Sequence, residues 1–135
     1  MKIPTLVLCT SALLAAALGP MAHAATPAEL LAAYTAAAGA PASPERGEKL
    51  FNTNFKREFG WSCATCHGAV PTKAGKHDLT EKRIEPLAPA FNPARFTDRA
   101  RAENFFRLNC KDVIGRECTA AEKADVLSWL LTLKP

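Results

Sequence analysis

Within five residues the chain places two thiols and an imidazole, Cys63-Ala64-Thr65-Cys66-His67. Two cysteines at this spacing can form thioethers with the two vinyl groups of a haem, and the following histidine reaches the iron from the same side. A thioredoxin-like dithiol needs a βαβ setting, which the sequence lacks, and a zinc site needs a second ligand pair at metal spacing. The motif therefore predicts covalent haem c on Cys63, Cys66 and His67. A chain built this way has to wrap its helices around a flat prosthetic group.

The N-terminus fits such an assignment. Lys2 gives a basic start, Leu6 to Leu18 an apolar run of 13 residues, and Ala22-His23-Ala24 a small-x-small cleavage site. The run is short of the roughly 20 residues that cross a bilayer as a helix. We expect residues 1–24 to be a cleaved secretory signal, residues 25–135 to form a single domain, and the product to be periplasmic with no membrane insertion after cleavage. Removing residues 1–24 of 135 leaves 111, a thin allowance for a self-sufficient apolar core that a covalent cofactor would supplement. Cleavage also removes Lys2 and Cys9, so the formal charge falls from +4 to +3 and five cysteines become four. Charge this modest does not point to nucleic acid; it suits either a merely solvated surface or weak docking on an acidic partner.

The mature chain reads as all-α, with almost no period-2 alternation. Thr26-Pro27 opens a helix whose face carries Leu30, Leu31, Tyr34 and Ala38, ending at Gly39. Ser43-Pro44 opens a second, in which Gly47 and Phe51 share a face and Gly47 invites close approach by another helix. The expected partner is the last helix, where Thr119-x-x-Glu122 forms a capping box before a stripe of Val126, Trp129, Leu130 and Leu133. A third helix is expected to start at Thr97, with Ala102, Phe105, Phe106 and Asn109 on its apolar side. Residues 68–83 form a polar, basic loop. Pro86-Leu87-Ala88-Pro89-Ala90-Phe91-Asn92-Pro93 is apolar and too proline-rich for a helix, and a haem face is a good candidate for what it covers.

Cys110 and Cys118 can close a short loop in an oxidising compartment, a bridge that would contribute about 2 to 3 kcal/mol by restricting the unfolded chain. Methionine ligation of the iron is not available once residues 1–24 are removed, because the only methionines are Met1 and Met21. The candidates for the sixth position are His77, Asn109, a water, or an empty site. His77 is the stronger ligand, yet Lys73-Ala74-Gly75-Lys76-His77-Asp78 reads as a charged surface loop. Asn109 is a poor ligand on an inward face, where an unpartnered amide costs about 1 to 3 kcal/mol. Pattern alone favours a helix cap for it.

Further stretches carry a resemblance: Leu-x-x-Tyr with Ala37-Ala38-Gly39-Ala40-Pro41, Cys63 to Gly68, Ile84-x-Pro86-Leu87-Ala88-Pro89, Arg95-Phe96-Thr97-Asp98, Asn109-Cys110-x-x-Val113-Ile114-Gly115-Arg116-x-Cys118-Thr119, and Glu122-Lys123-Ala124-Asp125-x-Leu127-x-Trp129-Leu130. Together they span nearly the whole mature chain. In them the chain resembles the sphaeroides-type haem proteins, oxygen-binding cytochromes c related to the class I fold and to cytochrome c double-prime. The resemblance implies a small class I cytochrome c-like helical fold, a Cys110–Cys118 disulfide, and Asn109 as the sixth iron ligand, where the double-prime relatives place a histidine. It also implies a dihaem cytochrome c as electron donor. The expected function is a high-spin monohaem cytochrome that accepts an electron, releases Asn109 and binds dioxygen, nitric oxide or carbon monoxide; turnover of dioxygen, nitric oxide or peroxide stays open. The alternative is a plain low-spin electron carrier closed by His77.

Overall fold

The computed structural model describes residues 24–135. The expected signal peptide and its cleavage site, with Cys9, Met1 and Met21, lie outside or at the edge of the described residues. Five helices follow in order: α1 (Pro27–Ala38), α2 (Pro44–Asn52), α3 (Cys63–His67), α4 (Arg99–Val113) and α5 (Ala120–Thr132). Two strands of two residues each, β1 (Gly75–Lys76) and β2 (Arg83–Ile84), pair antiparallel within the segment expected to be loop alone.

The helix starts follow from their caps. Thr26 and Glu29 close a reciprocal capping box on α1, and Gly39 ends that helix in the left-handed conformation at φ 66°. Ser43 caps α2 with Pro44 behind it, and Thr119 and Glu122 box the start of α5. The start of α4 differs from expectation by one residue: Asp98 is the cap, its carboxylate accepting from Arg101 N, while the Thr97 hydroxyl donates to the Ala94 carbonyl. Helix α5 stops at Thr132, so Leu133 is its extended C-cap, from which it still packs half-buried against the core.

Helices α1 and α2 both pack on α5. At Gly47 the α2 and α5 backbones come so close that a Cβ would stand 2.8 Å from Val126 N and nearer still to the Asp125 carbonyl. The same crossing is tied by a buried carboxylate. Asp125, 5 % exposed, accepts from Ser43 N at 2.7 Å and from the Arg46 guanidinium at 2.7 and 2.8 Å. Leu30, Phe51, Leu127 and Leu130 are fully buried at this junction. Phe106 from α4 joins the core edge-on to Tyr34, with ring centroids 5.9 Å apart. Loop 86–93 is tied to Pro71, whose carbonyl accepts from both Leu87 N and Ala88 N. Among the described residues no helix is long and apolar enough to cross a membrane.

Candidate haem site

The two motif cysteines and His67 share one helical turn. Ser62 caps it, its hydroxyl accepting from Thr65 N while the Thr65 hydroxyl accepts from Ser62 N. This box, which pattern reading passed over because its third residue is threonine rather than Glu or Gln, sets the entry angle of the motif. Helix α3 then presents Cys63, Cys66 and His67 to a single cavity with about 670 Å³ of empty space, its mouth included. Helix α4 also lines that cavity, contributing Phe105, Phe106, Asn109 and Cys110. Phe51 and Leu50 reach in from α2, and Val126 and Leu130 from α5.

His67 is 8 % exposed, with the Phe51 and Phe105 rings 6.1 and 6.0 Å away. Burial, and then the nearby Arg95 guanidinium, push its pKa down to about 4. The imidazole is therefore neutral at physiological pH, the form in which histidine ligates a metal. Neither of its ring nitrogens takes part in a hydrogen bond among the described residues. Burial also raises the Cys63 thiol to about 11, so it sits as a neutral thiol where a thioether would form.

Asn109 is half-buried and its amide nitrogen donates to the Phe105 carbonyl one turn back, at 2.8 Å. It does not cap α4, which continues to Val113 with Ile114 as C-cap, bonded to Cys110 O and Lys111 O. The side-chain oxygen of Asn109 accepts no hydrogen bond among the described residues. The cavity thus has a neutral imidazole and a free amide oxygen among its lining, two thiols at haem spacing, and otherwise mainly apolar walls. That donor set fits a covalently attached haem. A zinc site gains nothing, since no group of three or more His, Cys, Asp or Glu able to hold a metal is found among the described residues.

His77 does not line this cavity. Its Nδ1 accepts from Leu79 N and Thr80 N at 3.3 Å each, and the ring packs edge-to-face with Trp61 in a neighbouring cleft that shares Trp61 and Val113 with the cavity and includes Phe59 and Lys111. Of the apolar loop 86–93, Leu87 alone lines the cavity. Cys110 and Cys118 are joined, with Cα atoms 5.6 Å apart, and both reach the cavity wall beside Asn109. Trp61, Phe96, Val113 and Ile114 also line it. Periodicity gave no reason to select Trp61 or Phe96, which stand in irregular segments.

A family model described as a domain of unknown function, DUF1924, matches residues 37–130. The cytochrome c-type protein SHP of Cereibacter sphaeroides is 55 % identical over 108 residues, covering 78 % of this chain and 82 % of that protein. The structure of oxidised SHP, described as an oxygen-binding cytochrome c, superposes with a TM-score of 0.73 at 53 % identity, over 80 % of this chain and 97 % of that one. A solution structure of cytochrome c'' from Methylophilus methylotrophus, which addresses haem-ligand detachment, gives a TM-score of 0.72 at 36 % identity, over 81 % and 94 % of the two chains. With one haem-attachment motif set in a helical cavity and relatives of this closeness, the chain belongs to the SHP family of cytochromes c, related to cytochrome c'', and carries covalently bound haem c.

Proposed function

We propose that this protein is a redox-gated binder of diatomic molecules, in which Asn109 holds the haem iron weakly and lets go when the iron is reduced. One observation carries the reading: the Asn109 amide lines the same cavity as His67, with its nitrogen tied to Phe105 O and its oxygen left without a partner. The oxygen-binding description of SHP and the ligand-detachment description of cytochrome c'' support it.

When bound, the haem would supply an iron that changes valence by one electron and could take up a small diatomic molecule. His67 provides the firm ligand, kept neutral by burial. The Asn109 oxygen is a hard, neutral and weak donor, suited to ferric iron and poorly matched to the softer ferrous state. The bond to Phe105 O would hold the Asn109 amide inside the cavity independently of its oxygen, leaving a second N–H that could donate to a small molecule there. Phe105 and Leu87 keep the surroundings apolar. No carboxylate lines the cavity among the described residues, which favours binding over acid-base turnover. The electron comes from another cytochrome, a dihaem cytochrome c, and the setting is periplasmic.

The test replaces Asn109 and His77 by alanine separately and compares ferric and ferrous spectra with the parent protein. Asn109→Ala changes the ferric spectrum and His77→Ala leaves it as it was. The opposite pattern would assign the sixth position to His77 and remove the proposal.

A further inference from the structure

A second cleft abuts the haem cavity and shares Leu87, Phe96 and Phe105 with it as a common wall. Its rim carries three guanidinium groups, Arg83, Arg95 and Arg101, against two carboxylates, Glu85 and Asp98. Both carboxylates are already engaged, Glu85 by a guanidinium of the same rim, which leaves Arg95 and Arg101 as the cations in excess. Glu85 pairs with Arg83 at 2.7 Å, and Asp98 is spent on the backbone of α4, accepting from Arg101 N at 3.0 Å. Arg95 is half-buried and makes no direct ion pair among the described residues, the Glu85 carboxylate acting on it only through space; its guanidinium donates to two backbone carbonyls, Pro86 O at 2.9 Å and Glu85 O at 2.7 Å. The Arg101 side chain makes no hydrogen bond or ion pair among the described residues. Desolvation and then repulsion from Arg101 lower the Arg95 pKa, and the attraction of Glu85 offsets only part of this. Removing a cation from water without a counter-charge is unfavourable, and arginine's planar fork is matched to a carboxylate.

We infer that the cleft between Arg83, Arg95 and Arg101 receives the propionate carboxylates of the covalently attached haem, with Arg95 as their main partner and Arg101 as the second. The haem is the one source of carboxylate that the cavity itself brings to this wall. The inference requires an attached haem but not the release of Asn109. Carbon monoxide binding to the ferrous protein can therefore stay intact while this proposal fails, and the reverse also holds.

The consequence is electrostatic. A propionate left without its cation favours ferric over ferrous iron and binds a proton more tightly, so the potential should fall and become more dependent on pH. Arg95→Gln, Arg95→Lys and Arg101→Gln holoproteins are titrated for reduction potential from pH 5 to 8, with Arg107→Gln, an exposed site on α4 outside both cavities, as control. We expect Arg95→Gln to shift the ferric-to-ferrous ratio at a fixed potential threefold or more toward ferric at pH 7, with a steeper fall as pH rises. Arg95→Lys restores most of the shift, Arg101→Gln moves the same way by less, and Arg107→Gln is silent. If Arg95→Gln only melts earlier, with an unchanged potential and pH profile, Arg95 is a clamp on loop 86–93 and the assignment is overturned. A parent potential that moves on adding inorganic phosphate, with that response lost in Arg95→Gln, would assign the cleft to a free anion and overturn it equally. Should Arg95→Gln fail to mature, Arg101→Gln decides alone, and no shift in it counts against the assignment.

Discussion

Replacing Gly47 by alanine tests the helix crossing that supports the haem cavity. Alanine normally stabilises a helix relative to glycine by about 1 kcal/mol. Here its methyl would stand 2.8 Å from Val126 N and closer to the Asp125 carbonyl. These are backbone atoms of α5, so no side chain can swing aside and the helices must separate. Overpacking of this kind costs about 1 to 3 kcal/mol, and backbone opposition places it at the upper end. Less the helix-propensity gain, the net loss is about 2 kcal/mol, or a melting temperature lower by roughly 8 to 16 °C for a domain of this size. The same displacement moves Phe51, which α2 places against His67 and Trp129, so the haem absorption should shift along with the stability. The assay is thermal unfolding of ferric holoprotein by far-UV circular dichroism, beside the exposed control Glu48→Ala. A Gly47→Ala protein melting at or above the parent would refute the close crossing.

Removing the Cys110–Cys118 bridge with paired serines should lower stability by about 2 to 3 kcal/mol in denaturant titration, as the closure of a short loop implies; an unchanged midpoint would mean the bridge does not restrain the unfolded chain. The Glu122 carboxyl is held below its ordinary value of 4.5 first by the Arg116 guanidinium. A lowered pKa adds stability that is present above the ordinary value and lost as pH falls through the folded one. Glu122→Gln, which keeps an acceptor for the capping box and loses only the solvent-screened ion pair, should therefore lower stability at pH 7 by a few tenths of a kcal/mol and flatten its decline below pH 4.5, whereas parallel acid profiles for the two proteins would contradict this. Asp125→Ala leaves Ser43 N without its acceptor and removes the partner of the solvent-exposed Arg46, and the lost acceptor alone should destabilise by about 1 to 2 kcal/mol in the same titration; an unchanged midpoint would show that the network is dispensable.

What the sequence made legible was whatever is local. Thr26-Pro27, Ser43-Pro44 and Thr119-x-x-Glu122 start helices because cap, first-turn proline and reciprocal acid all act within four residues. Gly47 was readable as a point of close approach, since a missing side chain opposite a partner stripe has few other uses. The β1–β2 pair was not, as two residues per strand are too few to show alternation. Helix α3 is likewise too short to reveal a period, although its chemistry was the clearest signal in the chain. Asp125 illustrates the other limit. It lies on a buried helix, and only Ser43 and Arg46, some 80 positions earlier, explain why a carboxylate is tolerated there. Asn109 was ambiguous by pattern for a similar reason: whether it caps α4 depends on where that helix stops, and it runs on to Val113. Arg95 stood only within the family-like stretch Arg95-Phe96-Thr97-Asp98 and no role was legible for it, because its surroundings are assembled from a loop, a strand and a helix.

The account rests on the weakness of the grip from Asn109, and carbon monoxide binding to the reduced holoprotein tests it most directly. Mixed in a stopped-flow instrument, the ferrous protein should bind carbon monoxide rapidly, at a rate that rises in proportion to its concentration, after a ferric state with a high-spin spectrum. A ferrous spectrum that is low-spin and unchanged by carbon monoxide would contradict it.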